Sequence, residues 1–170
     1  MPRKSAAKRP AQKSAVPTPT RPRMPAGYSG KGKPKFLPWT WVTERLERSH
    51  NYWICTTRSD GRPHAMPVWA VYVDSAVVFS TDPSTLKAKN MKRNPSIIVH
   101  LESGDELVLL EGRVERVKLN KAIDDAYNAK YKMRLSTFPG DAAVYSLKPK
   151  VVLAWREKDF PTSGTRWQFK

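Results

Sequence analysis

Between positions 80 and 87 stand four hydroxyl side chains and a lysine: Ser80, Thr81, Ser84, Thr85 and Lys87. Asp82-Pro83-Ser84 opens a short helix predicted from Thr85 to Arg93, and Pro83 suits a first-turn position. Hydroxyls, helix N-terminal amides and one ammonium are the groups that hold a phosphate-like anion. A plainer arrangement fits the same residues, in which Ser84 or Thr85 caps the helix and Lys87 is solvated. The second candidate is His64-Ala-Met-Pro-Val-Trp69. Strand alternation puts His64, Met66 and Val68 on one face and Ala65, Pro67 and Trp69 on the other. Pro67 offers no N–H, which marks an irregular or edge position and leaves room for a ligand beside the backbone. An ordinary edge strand with a surface histidine is the alternative. The third candidate is Arg166-Trp167, where the guanidinium could pair with an anion and the indole could stack on a ring. A closing strand with Trp167 in the core accounts for the pair equally well.

Other reactive residue types exclude more than they suggest. His50, His64, His100 and the one cysteine, Cys55, are scattered without metal-ligand spacing, so no metal is expected. A single cysteine allows no intrachain disulfide, which fits a reducing compartment. No apolar run approaches the roughly 18–20 residues that span a bilayer. The basic N-terminus has no apolar signal core. A cytoplasmic location is the expectation.

The elements that must position these residues follow from pattern. Trp41, Val42 and Leu46 make one stripe of a helix that Thr40 could cap, with Glu44 in its first turn and an end near Ser49–Asn51. Strands are expected over 52–57, 63–73 and 76–81, joined at Asp60-Gly61 and Asp74-Ser75. After the short helix come strands over 96–101 and 106–117, with Gly112 marking a bulge or bend. A helix is expected over 118–132, with Ile123, Ala126, Tyr127 and Tyr131 on one face. Two or three strands close the chain, over 143–147, 150–156 and 164–169. Many short strands joined by hairpin turns indicate a mainly β barrel or sandwich.

Charge is unevenly placed along the 170 residues. Residues 1–35 carry ten Lys and Arg and no acid, out of a net charge of +16. This segment is rich in Pro, Ala, Ser and Gly and has too little apolar surface to offset its ordering entropy. It is expected to be a disordered basic tail, with the folded domain over 36–170. Its charge would allow weak nucleic-acid or polyanion contact, or would serve only to solubilise the chain.

Several stretches together carry a resemblance. These are Asn51-Tyr-Trp-Ile-Cys-Thr-Thr57, Asp60-Gly-Arg-Pro-His-Ala-Met-Pro-Val-Trp69 and Phe79-Ser-Thr-Asp-Pro-Ser-Thr-Leu-Lys-Ala-Lys-Asn90. Asn94-Pro95, Val99-His-Leu-Glu-Ser-Gly104, Glu111-Gly112 and Thr165-Arg-Trp-Gln-Phe169 continue it. In order and spacing they resemble the pyridoxamine 5′-phosphate oxidase-like family over residues 37–170. The resemblance implies a split β-barrel with a few short helices. It implies FMN or the deazaflavin coenzyme F-420 at the interface of a homodimer. Lys87 is then the phosphate lysine, served by Ser80, Thr81, Ser84 and Thr85. The ring lies along His64, Met66, Pro67 and Val68, and Arg166 and Trp167 reach it from the C-terminal end. Relatives often place an arginine just before this lysine. Here Thr85 and Leu86 stand there, which shifts the demand to Lys89 or Arg62.

The activity so implied is hydride transfer between FMN or coenzyme F-420 and a small organic substrate. The short actinobacterial-type relatives and the spare basic residues of the body favour coenzyme F-420. No catalytic residue is assigned, because the flavin itself carries such chemistry. Pyridoxamine phosphate oxidation proper is disfavoured, since a second phosphate site has no match. The alternatives are a non-enzymatic flavin or haem binding protein, or a polyanion-binding protein acting through residues 1–35. The body offers no DNA- or RNA-reading motif.

Overall fold

A computed structural model describes residues 15–25, 27–28, 32–138 and 140–170. In chain order the elements are α1 (Trp39–Arg48), β1 (Asn51–Thr57), β2 (Pro63–Val73), β3 (Ala76–Thr81) and α2 (Leu86–Arg93). There follow β4 (Ser96–His100), β5 (Glu106–Val117), α3 (Lys121–Tyr131), β6 (Ala143–Arg156) and β7 (Thr165–Gln168). The strands are antiparallel in the order β3-β2-β1-β4-β5-β6-β7, and β3 also pairs with β6. That extra pairing closes the first six strands into a barrel, which removes most exposed edges. No described helix is long and apolar enough to cross a membrane.

The barrel interior is filled by Tyr52, Ile54, Phe79, Val99, Leu110 and Leu147, with Val42 and Leu46 of α1 and Trp167 of β7 closing one end. A second cluster lies outside the barrel, where Ile123 and Tyr127 of α3 cover Val71, Val78 and Val144. Thus α3 shields only the outer face of β2, β3 and the first half of β6.

The β1–β2 hairpin turns at Gly61, whose φ of +85° suits glycine. Asp74 and Ser75 both take positive φ between β2 and β3, the two-residue turn that matches strand twist. Gly112 does mark a bulge. The β5–β6 register shifts there, leaving Lys150 as the extra residue, and Lys150 O accepts from Phe169 N–H at 2.8 Å. A Cβ on Gly112 would lie 2.7 Å from Lys148 O. This irregularity does not break the strand, so the expected pair 143–147 and 150–156 is one strand. Its first half pairs with β3 and its second half with β7.

Helix starts differ from expectation for local reasons. Extended Pro38 precedes α1 with no side-chain cap, so Thr40 lies inside the helix. Asn120 caps α3, its Oδ1 accepting from Ile123 N–H at 2.9 Å, so residues 118–120 stay outside it. Pro83 lies in the turn before α2 rather than in its first turn, because Thr85 N–H returns to Asp82 O at 3.1 Å.

The segment expected to be disordered departs from that picture over 15–25. Thr20 pairs with Arg166 through two backbone hydrogen bonds of 2.9 and 2.8 Å. Lys35 N–H donates to Thr162 O at 2.9 Å. The open edge of β7 supplies partners that the composition of the tail could not reveal. The expectation for residues 1–14, 26 and 29–31 lies outside the described residues.

Candidate functional site

β2 pairs with β1 from Pro63 to Trp69 but with β3 only from Ala70 to Val73. Its first seven residues therefore present a backbone edge that the barrel does not use. Opposite His64, Met66 and Val68 stand Thr56, Ile54 and Tyr52, so these three lie on the barrel's inner face. Met66 is nonetheless 44% exposed, because β3 has ended and the barrel is open there. Pro67 and Trp69 occupy the outer face and are exposed. The alternation read from the sequence is the alternation seen. This backbone edge with two accessible faces can receive a flat ligand.

The helix α2 closes the same end. Asn90 Nδ2 donates to Thr56 Oγ1 at 3.0 Å in a buried bond. Thr56 Oγ1 in turn lies 3.3 Å from His64 Nδ1 and 3.4 Å from His64 O. This chain locks α2, β1 and β2 together and orients the imidazole. Burial holds the His64 imidazole below its usual range, and the charges of Arg58 and Lys87 depress it further. Lys87, half-buried on α2, is also lowered by burial, and no ion pair holds it among the described residues. The charge of Lys87 thus reaches His64 across the open end of the barrel.

The hydroxyls divide. Thr85 is the α2 cap, its Oγ1 donating to Asp82 O at 2.8 Å and accepting from Ala88 N–H at 3.4 Å. Thr81 Oγ1 lies 3.2 Å from it. Ser80 donates to Ala143 O at 3.3 Å. Ser84 is exposed at the helix mouth, with its N–H held by Asp82 Oδ1 at 2.7 Å. Thr81, Ser84 and Thr85 gather at the α2 N-terminus, and Thr85 does the capping that the plainer arrangement foresaw.

Two substitutes considered for the missing arginine fare differently. Arg62 is bound to Asp60, its Nε and Nη2 donating to Oδ2 at 2.9 and 2.7 Å. Lys89 is exposed on α2. Trp167 is corrected: at 1% exposure it is packed in the core, edge-on to Trp39 at 5.3 Å, and cannot stack on a ligand. Arg166 is half-buried on β7, and no hydrogen bond or ion pair joins it to α2.

Sequence reasoning missed the supports of the site. Asn90 falls three residues after Lys87, hence on the same helix face, and that spacing could have found it. Tyr131 was read only as part of the apolar face of α3, and Lys130 had no signal. Ala70 N–H donates to Tyr131 Oη at 2.9 Å, where β2 parts from β3. The Tyr131 ring stacks on Trp69 at 4.8 Å and 5°, and Tyr127 Oη donates to Trp69 O at 2.8 Å. The helix α3 thereby fixes the end of the open edge. Among the described residues no group of His, Cys, Asp and Glu could hold a metal.

Comparison with known proteins places this geometry. No curated protein matches the chain in sequence. Among solved structures, a conserved hypothetical protein of Mycobacterium tuberculosis superposes with a TM-score of 0.63 at 18% identity, over 72% of this chain and 86% of that one. An F-420 reductase is similar with a TM-score of 0.52 at 22% identity, over 74% and 95%. A haem binding protein from Mycobacterium smegmatis gives 0.53 at 21%, over 70% and 55%. These likenesses establish the split-barrel fold. The family model described as pyridoxamine 5′-phosphate oxidase matches residues 41–156, from α1 to the end of β6. With both the barrel and the greater part of its sequence accounted for, the chain belongs to the pyridoxamine 5′-phosphate oxidase family.

Proposed function

We propose that this protein is a flavin- or deazaflavin-dependent oxidoreductase acting on a small organic substrate, with FMN or coenzyme F-420 as its cofactor. The observation that carries the reading is the free edge of β2 over residues 63–69, with the charge of Lys87, which has no ion pair among the described residues, bearing on it at His64. The residues present fit such a group. Lys87 and the mouth of α2 would take its phosphate, and His64, Met66, Pro67 and Val68 would line its ring. When bound, the ring supplies the hydride chemistry. The chain's own part is to hold the phosphate, to offer backbone groups along β2 to the ring's polar edge, and to exclude water on the Met66 side. The resemblance of fold to an F-420 reductase supports the deazaflavin choice, and the family supports a flavin in general.

The reading includes a homodimer. Register places Pro67, Trp53, His100, Leu109, Leu153 and Arg166 in one row across the outer face of six strands. Trp155, Leu107, Ile98 and Cys55 flank that row, half-buried. No described helix covers this apolar face, and a second copy is its natural cover. Arg166, on the same face, is then placed to reach a partner.

The deciding experiment is a fluorescence titration of the purified protein with FMN and with coenzyme F-420. Micromolar or tighter affinity for one supports the reading, and Lys87→Ala then weakens it by about 1–3 kcal/mol. Absence of binding to both refutes it, and haem becomes the ligand to test.

A further inference from the structure

Arg58 sits at the β1–β2 hairpin. Its N–H donates to Arg62 O at 2.9 Å, and its carbonyl accepts from Gly61 N–H at 3.1 Å. The backbone is therefore fixed. The side chain is half-buried, and its Nε is fully buried with no hydrogen-bond partner among the described residues. Leaving such a donor unmet is costly, and native structures leave few of them unless a ligand, ion or water completes them. The charge of Arg58 reaches His64, as does that of Lys87. Asp60 also feels Arg58, but both of its oxygens are engaged by Arg62: Oδ1 by the backbone N–H at 3.1 Å and Oδ2 by the side chain. Lys87 has no ion pair among the described residues. Two cations thus bear on one imidazole at the mouth of the open β2 edge, and each is short of an acceptor.

We propose that Arg58 is the second cationic ligand of the anion held by Lys87, its guanidinium donating to a phosphate oxygen beside His64. Arg62, chelated by Asp60, has no part in it. The phosphate oxyanion is common to FMN, a monoester, and coenzyme F-420, a diester. The inference rests on the cofactor reading above, but the two fail separately.

The test compares affinity for FMN against riboflavin, and for coenzyme F-420 against its phosphate-free chromophore. It uses the full chain as wild type, Arg58→Gln, Arg58→Lys and Arg62→Gln, with melting midpoints to check folding. Arg58→Gln weakens the phosphorylated cofactor about tenfold to a hundredfold and leaves its phosphate-free counterpart within about twofold. Arg58→Lys, which keeps charge without the fork, falls between, and Arg62→Gln behaves as wild type. No loss in Arg58→Gln, or equal loss for both forms, overturns the inference while the cofactor reading stands. If wild type binds neither cofactor, that reading fails and inorganic phosphate judges Arg58 alone. The His64 imidazole resonances then shift with added phosphate in wild type and not in Arg58→Gln. No shift in wild type, or the same shift in both, overturns the inference too.

Discussion

At the scale of single residues, the least expected is Lys130. Its ammonium donates to Leu46 O at 3.1 Å, Ala70 O at 3.0 Å and Tyr52 Oη at 3.1 Å, and it lies over the Tyr52 and Tyr131 rings. Burial pushes its pKa down to about 8, while the oxygens and rings around it suit the charged form. In the unfolded chain the group titrates near 10.5. Between these two values the unfolded state binds more protons, so stability rises with pH there. Below pH 8 the burial penalty on the charge is present in full. Lys130→Met lacks this titration. Leu46 O keeps Tyr52 Oη as a donor and Ala70 O keeps Tyr131 Oη nearby at 2.8 Å, so the variant should fold. Melting midpoints of the two proteins, followed from pH 7 to 10, should diverge in favour of wild type above pH 8. Parallel curves would show that Lys130 titrates normally. No periodicity in the sequence marks a buried lysine, because only the meeting of α1, β1, β2 and α3 builds its cage. Trp167 teaches the converse: its indole could have served a ligand or the core, and the core claimed it.

At the scale of elements, two features set where the strands part. One is the bulge at Gly112, where β6 turns from β3 towards β7. Gly112→Ala would drive a methyl into Lys148 O, a backbone atom with little freedom to yield. The expected loss is about 1–3 kcal/mol in urea unfolding, and an unchanged midpoint would mean the strands slide apart freely. The other is the clamp of α3 on β2. Tyr131→Phe keeps the stacking on Trp69 but strips the acceptor from Ala70 N–H, at about 1–3 kcal/mol if that amide stays unpaired. Amide exchange at Ala70 should quicken more than at Val78, within the β3 ladder. Equal protection in both proteins would refute the clamp. Strand and hairpin positions were legible because alternation and turn residues act locally. Helix starts were read less well: Pro38 starts α1 through its extended backbone alone, and Asn120 caps α3 with its side chain where the expected helix had already begun. The unbroken run of β6 through Pro149 was likewise invisible, as it depends on Gly112 thirty-seven residues earlier.

At the scale of the whole molecule, a sheet face that no described helix covers and a basic tail remain. If two copies join through the row containing Trp53 and Leu153, then Trp53→Asp should shift the mass seen in light scattering from dimer to monomer. Cofactor affinity should fall with it, because Arg166 stands on that face. A monomeric wild type with full cofactor affinity would contradict the dimer. The tail's contribution is best tested by a cut after Ser14. Ala15 to Thr18 wall a cleft of about 1050 Å³ with Tyr72, Val117 and Phe169, and Thr20 is tied to β7, so a cut at residue 35 would damage the fold. Removing residues 1–14 should abolish salt-sensitive DNA binding and leave cofactor titration unchanged. DNA affinity that survives the cut would move the polyanion site to the body.

The sequence alone determined the strands from β1 to β5, the alternation along β2, the hairpin turns and the family. Each of these rests on short-range pattern or on motifs kept in order. It also brought Lys87 and the His64–Val68 strand forward as a site. Tertiary structure decided the rest: that β2 outruns β3 and leaves an edge, that Asp60 withdraws Arg62, and that Arg58 is left with a buried donor. Those facts depend on which strands end beside which, and on how carboxylates share a few cations. Such competition among groups distant in the chain becomes definite only when the barrel closes.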